Sequence, residues 1–474
     1  KRKERSAQLF KTHQQQMNDL FDYILTSRMW TENVATAFEE MLLSPTIDVI
    51  DQQLIVSVVM LSALYQFDIA KFRLLIHVYS RSTDEQVRQR ALVGWALVAT
   101  DELQAVYPEQ RQLIEELLHS EQAVGELTEL QIQLIYCLNA ERDTQKIQKE
   151  IMPDLLKNNN FRFTNNGIEE VDDDPMEDIL HPDASEQRME KLEQSFQQMM
   201  DMQKQGSDIY FGGFSQMKRF PFFYDTSNWL IPFYPQHPDI QSAMDGMSGN
   251  KFIEQMVKTG PFCNSDKYSF VIAFQKVMER MPLNMRQMLS RGEATVGEVP
   301  SEELNSPAYI RRSYLQDLYR FFRLNPNRKE LTNPFDTTNN ELGTCLFFML
   351  NVLGNTPITQ RKNEVVSLLM KQQLQHSAQL LLSTYSDAMK DVRYYMWTSD
   401  YERVLKLEPH HKRALSSYAR ELFSEGRFAE ALVHYDTLLS LLTASDDGKN
   451  AVQVARVELN KAIHWQPEST GTGR

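Results

Sequence analysis

Residues 415–438 read LSSYARELFSEGRFAEALVHYDTL, two apolar patterns of helical spacing that meet at Gly426. Small residues such as Ala419 and Ala431 allow two antiparallel helices to approach closely, and larger ones such as Tyr435 fill the seam between them. Glycine suits the turn because it adopts a left-handed backbone conformation without a Cβ clash. The stretch therefore predicts a pair of packed helices, and it contains no catalytic motif.

The same spacing is similar to that of a tetratricopeptide repeat, a helix–turn–helix unit that stacks with its neighbours into a curved array. Residues 401–409 resemble the end of a preceding repeat, and residues 455–467 resemble the second helix of a following one. A polar insertion at residues 443–450 shifts the phase of that third unit. Such units cannot bury their apolar faces alone, so the resemblance predicts stacking on each other or on a helical neighbour.

In tetratricopeptide arrays the first helix of each repeat lines the concave groove. With Gly426 at the turn, the groove-facing positions of this repeat are Arg413, Ser416, Arg420, Phe423 and Ser424. Two arginines beside a phenylalanine favour an acidic or C-terminal peptide, held by charge-assisted hydrogen bonds. The alternative is that both arginines only solvate an exposed helix face.

The N-terminal part of the chain has helical periodicity throughout. Residues 16–150 place apolar side chains at i, i+3, i+4 and i+7, which predicts roughly seven helices. Residues 54–64 are apolar on most sides, yet they reach only about half of the ~20 residues that span a bilayer, so we expect a buried helix. Residues 84–96 are similar to a HEAT-type repeat helix, and residues 82–85 offer a capping box before it.

An acidic segment follows this array. Residues 169–178 read EEVDDDPMED, and asparagine- and glycine-rich turns precede them. Charge repulsion and the scarcity of apolar groups predict a solvated linker. The alternating ligands and central glycine of a calcium loop do not occur in this stretch, so we predict no metal site. Helical spacing resumes at residues 187–203.

The middle of the chain is rich in aromatic residues and prolines. Repeated prolines between residues 221 and 238 exclude a continuous helix and predict an irregular segment. One interpretation is that its rings, Phe223 and Trp229 among them, form core against the helices. The other is an exposed aromatic surface that docks a partner, since aromatic residues are enriched at binding hot spots.

Composition limits the function classes. With 474 residues, 42% hydrophobic residues and a formal charge of −14, the chain can bury a large core but is a poor ligand for nucleic acid or anionic membranes. Cys137, Cys263 and Cys345 are far apart in sequence, which fits reduced thiols and a cytoplasmic location. The sequence contains no signal-peptide pattern, but it starts at Lys1, which leaves open a leader or an earlier domain.

Motifs for chemistry are missing from the sequence. It contains no HExxH, no GxSxG and no complete phosphate loop. His410 and His411 are adjacent and point in different directions, so they make a poor metal pair. Cys263 has no positioned histidine nearby in sequence, and we expect a buried structural cysteine. We predict no catalytic, cofactor-binding or metal-binding residues and no enzymatic activity; a novel enzyme site in the aromatic segment is the remaining alternative.

The chain as a whole resembles bacterial cytoplasmic tetratricopeptide-repeat proteins with a long helical N-terminal region, a largely uncharacterised family. The resemblance rests on the repeat and on MKRFPFFYDTSNWLIPFYPQHP at residues 217–238, FCNSDKY at 262–268 and YRFF at 319–322. It covers most of residues 16–330 and implies architecture without naming a ligand. Residues 331–395 depart from the regular repeat phase, which would fit missing internal segments.

We therefore predict an all-α, helical-repeat solenoid in four parts. These are a HEAT-like N-terminal array (1–157), an acidic linker and helix (158–208), an aromatic-rich middle domain (209–330) and a helical region with tetratricopeptide repeats (331–474). The predicted function is a scaffold or adaptor that binds a protein or peptide through its groove, using Arg413, Ser416, Arg420 and Phe423. The alternative is a structural or regulatory subunit docked through Phe223 and Trp229. The sequence specifies neither the partner nor an oligomeric state, nor whether the acidic linker orders on binding.

Overall fold

Helices dominate the protein. The computed structural model describes residues 2–151, 161–164, 167–170, 194–195, 197–204, 206–280, 299–336, 345–443, 454, 457, 458 and 461. The predicted all-helical class is confirmed at this level, apart from one hairpin of two short strands in the described part of the chain. The strands are Phe161–Thr164 and Gly167–Glu170, antiparallel, with Phe161 opposite Glu170. The chain divides into two compact units, Lys1–Ser377 and Ala378–Arg474.

The helices of the first unit begin with the predicted N-terminal array: α1 (Arg2–Leu25), α2 (Glu32–Leu42), α3 (Val49–Tyr65), α4 (Ile69–Arg81), α5 (Glu85–Val98), α6 (Glu109–Leu117), α7 (Glu121–Leu138) and α8 (Ala140–Lys146). They continue with α9 (Phe211–Ser215), α10 (Gln241–Gly246), α11 (Lys251–Thr259), α12 (Asn264–Arg280), α13 (Ser301–Leu304), α14 (Pro307–Leu324) and α15 (Ile358–Lys371). Residues 194–195 and 197–204 are also helical.

Aspartate side chains cap the N-termini of three helices of the array. Asp48, Asp68 and Asp84 accept hydrogen bonds from the first-turn amides of α3, α4 and α5, which satisfies donors that the helix itself leaves unpaired. The cap of α5 is therefore Asp84, and not Ser82 as the capping-box pattern suggests. Residues 52–64 of α3 are buried without interruption, because α3 packs against α1, α4 and α5. This confirms the buried helix at residues 54–64; the HEAT-like repeat arrangement stays a prediction.

The proline-rich segment consists of short 3-10 turns that pack inward. Its turns are Gln216–Arg219, Pro221–Tyr224, Thr226–Trp229 and Pro238–Ile240. Phe222 stacks on Tyr268 of α12 with ring centroids 4.5 Å apart, and Trp229 lies 6.1 Å from Phe321 of α14. The aromatic segment is thus part of the core of the first unit.

Polar contacts also join the N-terminal array to the middle of the chain. Arg90 Nη1 of α5 donates to the carbonyl oxygen of Leu230 at 2.7 Å, and the Tyr314 hydroxyl of α14 lies 3.0 Å from Ser57 Oγ of α3. The structure therefore places residues of the predicted 1–157 and 209–330 parts in one compact unit. These contacts do not test the positions of the three boundaries between the four predicted parts.

The second unit contains the helix pair predicted from residues 415–438. Its described helices are α17 (Val392–Trp397), α18 (Tyr401–Leu407), α19 (Lys412–Ser424) and α20 (Phe428–Thr443), and the boundary with the first unit falls within α16 (Gln375–Ser383). Ala419, Ala431 and Tyr435 are buried in the seam of α19 and α20, together with Val457. Gly426 has φ = +79°, the left-handed conformation that the turn was expected to need. The helix pair is confirmed; stacking into a repeat array stays a prediction.

Several predictions fall on residues outside the described part of the chain. Most of the acidic run at 169–178 and of the polar insertion at 443–450 is among them, as is most of the third repeat at 455–467. Residues 169 and 170 belong to the second strand.

Candidate functional site

The predicted binding residues of the second unit lie along one face of α19. Arg413 and Arg420 are exposed, and Ser416 and Phe423 are partly buried. Their spacing of three, four and three residues keeps them on one side of a helix with 3.6 residues per turn. The structure therefore brings these four of the five predicted groove positions together on one surface, which we call the α19 face.

The two arginines of the α19 face differ from the others in their unit. The other described arginines each pair with a carboxylate: Arg393 with Asp391 at 3.0 Å, Arg403 with Asp400 at 3.3 Å and Arg427 with Glu430 at 2.7 Å. Within the described residues no carboxylate lies within 4.0 Å of Arg413 or Arg420. Arg420 donates only long bonds, to the carbonyl oxygen of Ser416 at 3.4 Å and to Ser417 Oγ at 3.5 Å. Most donors of both guanidinium groups therefore remain open to an anion.

Aromatic surface lies at the C-terminal end of the α19 face. Phe423 packs against Phe428 with ring centroids 4.9 Å apart, and Phe428 is 47% exposed. Val433 of α20 is also exposed. The repeat pattern alone suggests that Phe428 is core, but the structure leaves half of its side chain to solvent. Cationic and aromatic groups thus adjoin each other, as in many peptide-binding surfaces.

Phe223 and Trp229, the other predicted partner-binding residues, lie elsewhere. They are 3% and 1% exposed inside the first unit. The indole Nε1 of Trp229 donates to the carbonyl oxygen of Phe223 at 2.9 Å, and the Lys218 ammonium lies 4.5 Å from the Phe223 ring. Such burial favours the interpretation in which these rings are core, because a docking residue must reach its partner. Tyr224, between them in sequence, is the exposed ring of this segment.

A buried ionic cluster lies beneath the aromatic segment and consists of Asp208, Lys218, Asp266 and Arg320. Lys218 Nζ lies 2.9 Å from Asp266 Oδ1, and Arg320 contacts Asp266 at 2.6 Å and Asp208 at 2.7 Å. Lys218 also donates to two serine hydroxyls at 3.0 and 3.1 Å. Burial raises the pKa of Asp266, but Arg320 and Lys218 outweigh it, and the net pKa lies below the usual value. Each charge of the cluster is paired with an opposite one, although Asp266 Oδ2 accepts no hydrogen bond of good geometry, and the cluster serves the fold.

The cysteine that sequence inspection singles out is also structural. Cys263 is 1% exposed, and its Sγ lies 3.7 Å from Ser265 Oγ. Burial raises the pKa of the thiol well above its usual range, so the reactive thiolate is suppressed. This agrees with the expectation of a buried cysteine. No group of three or more His, Cys, Asp or Glu side chains in the described ranges is placed to hold a metal ion.

A second candidate site, which sequence inspection missed, is a cleft of about 320 Å³ in the first unit. It is lined by Gln86, Arg90, Lys258, Thr259, Phe262, Asn264, Lys267, Ser301, Leu304, Asn305, Tyr309, Ile310, Ser313 and Tyr314, and we call it the basic cleft. Its cationic residues come from α5, α11 and α12. They are up to 177 positions apart, from Arg90 to Lys267, so no sequence motif could have indicated them.

Comparison with known proteins does not assign the chain to a family. No family model matches the chain, and no curated protein or solved structure is significantly similar to it. The resemblance to bacterial tetratricopeptide-repeat proteins therefore stays a proposal. Of the helices that the structure describes, none has the length and apolar character needed to cross a membrane.

Proposed function

We propose that the protein is a non-enzymatic scaffold or adaptor that binds an acidic segment of a partner protein through the α19 face. The observation that carries the proposal is the pair of arginines without carboxylate partners, in a unit whose other described arginines are paired. Repeat-like stacking of α17 to α20, a tetratricopeptide identity and a cytoplasmic location belong to the same proposal.

The spacing of the two arginines suits an extended peptide. Seven residues of α-helix separate Arg413 from Arg420, which corresponds to ~10 Å along the axis. An extended peptide covers that distance in about three residues. Two carboxylates at this separation, or one acidic side chain and a C-terminal carboxylate, would each meet a guanidinium group in charge-assisted hydrogen bonds. The ring of Phe423 would pack against an apolar neighbour in the same peptide.

The alternative, docking of a larger complex through the aromatic middle segment, lacks such an observation. It requires the rings of Phe223 and Trp229 to meet a partner, and both are buried. A Trp229→Ala variant would remove core packing, so a loss of binding in that variant would not distinguish docking from misfolding.

The test is a quantitative pull-down from the native cell, read by mass spectrometry, with three forms of the full chain. These are the wild type, Arg413→Gln/Arg420→Gln, and the matched control Arg403→Gln/Arg427→Gln, which removes two paired and exposed arginines instead. We expect one set of partners to be recovered with the wild type and the control and to be lost with the first variant. Equal recovery with all three forms would contradict the proposal.

A direct binding measurement completes the test. A dye-labelled, glutamate-rich decapeptide with a free C-terminus is titrated with each form, and fluorescence polarisation is recorded at low and high salt. Binding to wild type and control that weakens in Arg413→Gln/Arg420→Gln and at high salt supports the α19 face. Binding that is unchanged by the arginine substitutions would assign the peptide to another surface.

A further inference from the structure

We propose that the basic cleft of the first unit binds a small molecule that carries a phosphate group. The proposal does not depend on the adaptor function, because every residue of the cleft belongs to the first unit. It rests on the charge of the lining, on one buried arginine without a carboxylate partner and on the size of the cavity.

The lining of the cleft has a charge opposite to that of the chain. Its three ionisable cations are Arg90, Lys258 and Lys267, and none of the described lining residues is an aspartate or a glutamate. The chain as a whole has a formal charge of −14. On an acidic protein, the fold must bring such cations together from separate segments. The cations attract small anions, while the negative charge of the whole chain repels large polyanions.

Arg90 is the decisive residue. It is 2% exposed, and three of the largest fully buried side chains in the described chain are arginines: Arg90, Arg311 and Arg320. Arg311 pairs with Glu129, and Arg320 pairs with two aspartates of the ionic cluster. Arg90 has no carboxylate within 4.0 Å among the described residues. A buried guanidinium without a counter-ion is costly, so an anion in the cleft would stabilise this arrangement.

The contacts of Arg90 leave part of its guanidinium group open. Nη1 donates to Ser57 Oγ at 2.9 Å and to the Leu230 carbonyl at 2.7 Å, and the group lies 4.4 Å from the centroid of the Tyr314 ring. Among the described residues, the hydrogen bonds of the Arg90 side chain all involve Nη1, so Nε and Nη2 are the nitrogens left for an oxyanion. Burial lowers the pKa of Arg90, and the tyrosine and a nearby aspartate, Asp317, oppose this.

Asp317 is the carboxylate whose charge acts on Arg90, but its oxygens accept hydrogen bonds from other groups. It is fully buried and accepts the backbone N–H of Ser265 at 2.8 Å, together with the backbone and side-chain N–H groups of Asn264 at 3.3 Å. It therefore caps the start of α12 and does not enter the lining. Its charge offsets the cations partly and leaves the cleft basic.

The two lysines complete the anion site. Lys267 of α12 is partly buried, its ammonium group has no hydrogen bond or ion pair with another described residue, and burial lowers its pKa. Lys258 of α11 is exposed and lies at the rim. Ser301 and Ser313 add neutral hydroxyl donors to the same lining, whereas the Thr259 hydroxyl donates to the carbonyl oxygen of Gln255 at 3.1 Å. This combination of a guanidinium, ammonium groups and hydroxyls matches the donors that bind phosphate oxygens.

The size of the cleft limits the ligand. A volume of about 320 Å³ is at the lower end of ligand pockets in general, which run from about 300 Å³ upward. It accommodates a phosphate with a small organic group but not a polymer. The rings of Phe262 and Tyr309 supply an apolar wall for the organic part.

The experiment titrates the full-length protein with inorganic phosphate at constant ionic strength, followed by calorimetry and by thermal unfolding. Four forms are compared: wild type, Lys267→Met, Lys258→Gln and the control Lys251→Gln, an exposed lysine at the start of the same helix as Lys258. We expect phosphate to bind and stabilise the wild type and the control equally. Lys267→Met should weaken binding by about tenfold or more, and the rim variant Lys258→Gln by about threefold.

Further measurements on the same variants test whether the cleft binds an anion and whether that anion is phosphate. Without phosphate, Lys267→Met should unfold at a higher temperature than wild type, because the variant removes a desolvated, unpaired charge. If Lys267→Met does not fold, the smaller effect of Lys258→Gln against its control decides. A parallel titration with succinate tests the anion: a response to succinate alone would overturn the assignment to phosphate. No response to phosphate, or an equal response in all four forms, would overturn the site.

Discussion

The two units of the chain differ in that, among the described residues, ion pairs with a buried cation occur only in the first. In the first unit Lys218, Arg311 and Arg320 are buried and bound to carboxylates far away in sequence; Arg320 and Asp208 are 112 positions apart. In the second unit the ion pairs of Arg393, Arg403 and Arg427 are exposed and join residues two or three positions apart. Distant buried pairs require the tertiary fold, whereas local exposed pairs form on any helix surface.

This difference indicates which charged side chains of each unit can be substituted without loss of stability. Removing one partner of a buried pair leaves an uncompensated charge in the core, so the buried, paired cations of the first unit are required for folding. Exposed pairs contribute little, so the surface of the second unit can be altered without loss of structure. Arg90 in the first unit and Arg413 with Arg420 in the second have no carboxylate within 4.0 Å among the described residues, and both proposals rest on them.

The largest effect should come from breaking the buried ionic cluster. Arg320→Met leaves Asp208 without its cationic partner and Asp266 with only Lys218. We expect the free energy of unfolding to fall by about 3–5 kcal/mol, measured by chemical denaturation. A loss below about 1 kcal/mol would mean that the cluster does not tie this unit together as the comparison states.

The matched control lies one turn further along α14. Arg323 also pairs with a glutamate, Glu141, but both side chains are well exposed, at 54% and 39%. Arg323→Met should therefore cost at most about 1 kcal/mol. A similar cost for both variants would show that burial is not what separates the two kinds of pair.

The second prediction is that the buried His237 makes the first unit less stable at acidic pH. This side chain is fully buried; Asp239 donates its backbone N–H to Nδ1 at 3.2 Å, so the proton of the neutral ring is on Nε2, 3.2 Å from Asn228 Oδ1. Burial lowers the pKa of His237 from 6.5 to about 3, although the Asp239 carboxylate lies 3.9 Å away. Below pH 6.5 the imidazole of His237 binds a proton in the unfolded chain but not in the folded chain. The free energy of unfolding therefore falls as the pH falls toward 3.

We expect His237 to lower the free energy of unfolding by about 2 kcal/mol between pH 7 and pH 5. In His237→Asn, an asparagine still accepts the amide of Asp239 but does not titrate, so the unfolding free energy should depend less on pH by that amount. The comparison of the two forms at both pH values removes the contribution of other groups. Parallel pH profiles for wild type and variant would contradict the assignment.

The smallest effect is expected in the second unit, at the turn between α19 and α20. Gly426→Ala introduces a Cβ at φ = +79°, with no side chain or backbone within 4 Å of it, so the cost is local backbone strain. We expect about 1 kcal/mol, seen as roughly fivefold faster hydrogen exchange of the α19 and α20 amides. Asparagine tolerates this conformation better than alanine. In Gly426→Asn the same amides should therefore exchange at a rate between those of wild type and Gly426→Ala. Faster exchange in the first unit as well would contradict a local effect.

Sequence patterns predicted local structure well wherever periodicity and turn chemistry were strong. The buried helix at residues 54–64, the helix pair around Gly426 and the irregular turns at residues 221–238 all follow from spacing, glycine and proline. The α19 face could also be proposed, because four of its residues share one helix. Burial of Phe223 and Trp229 could not be decided, since a run of aromatic residues is equally compatible with core and with an exposed surface.

The sequence by itself determined the helical class, the register of the α19 and α20 seam and the position of its turn, because these depend on residues within one or two helices. Only the tertiary structure decided which charges are buried together and which remain unpaired. Arg90, Lys267 and Tyr314 meet at one cleft, and Asp208 meets Arg320, although nothing in their local sequence relates them. The physical reason is that the free energy of a charge depends on its surroundings in space, and chain folding assembles those surroundings from distant segments.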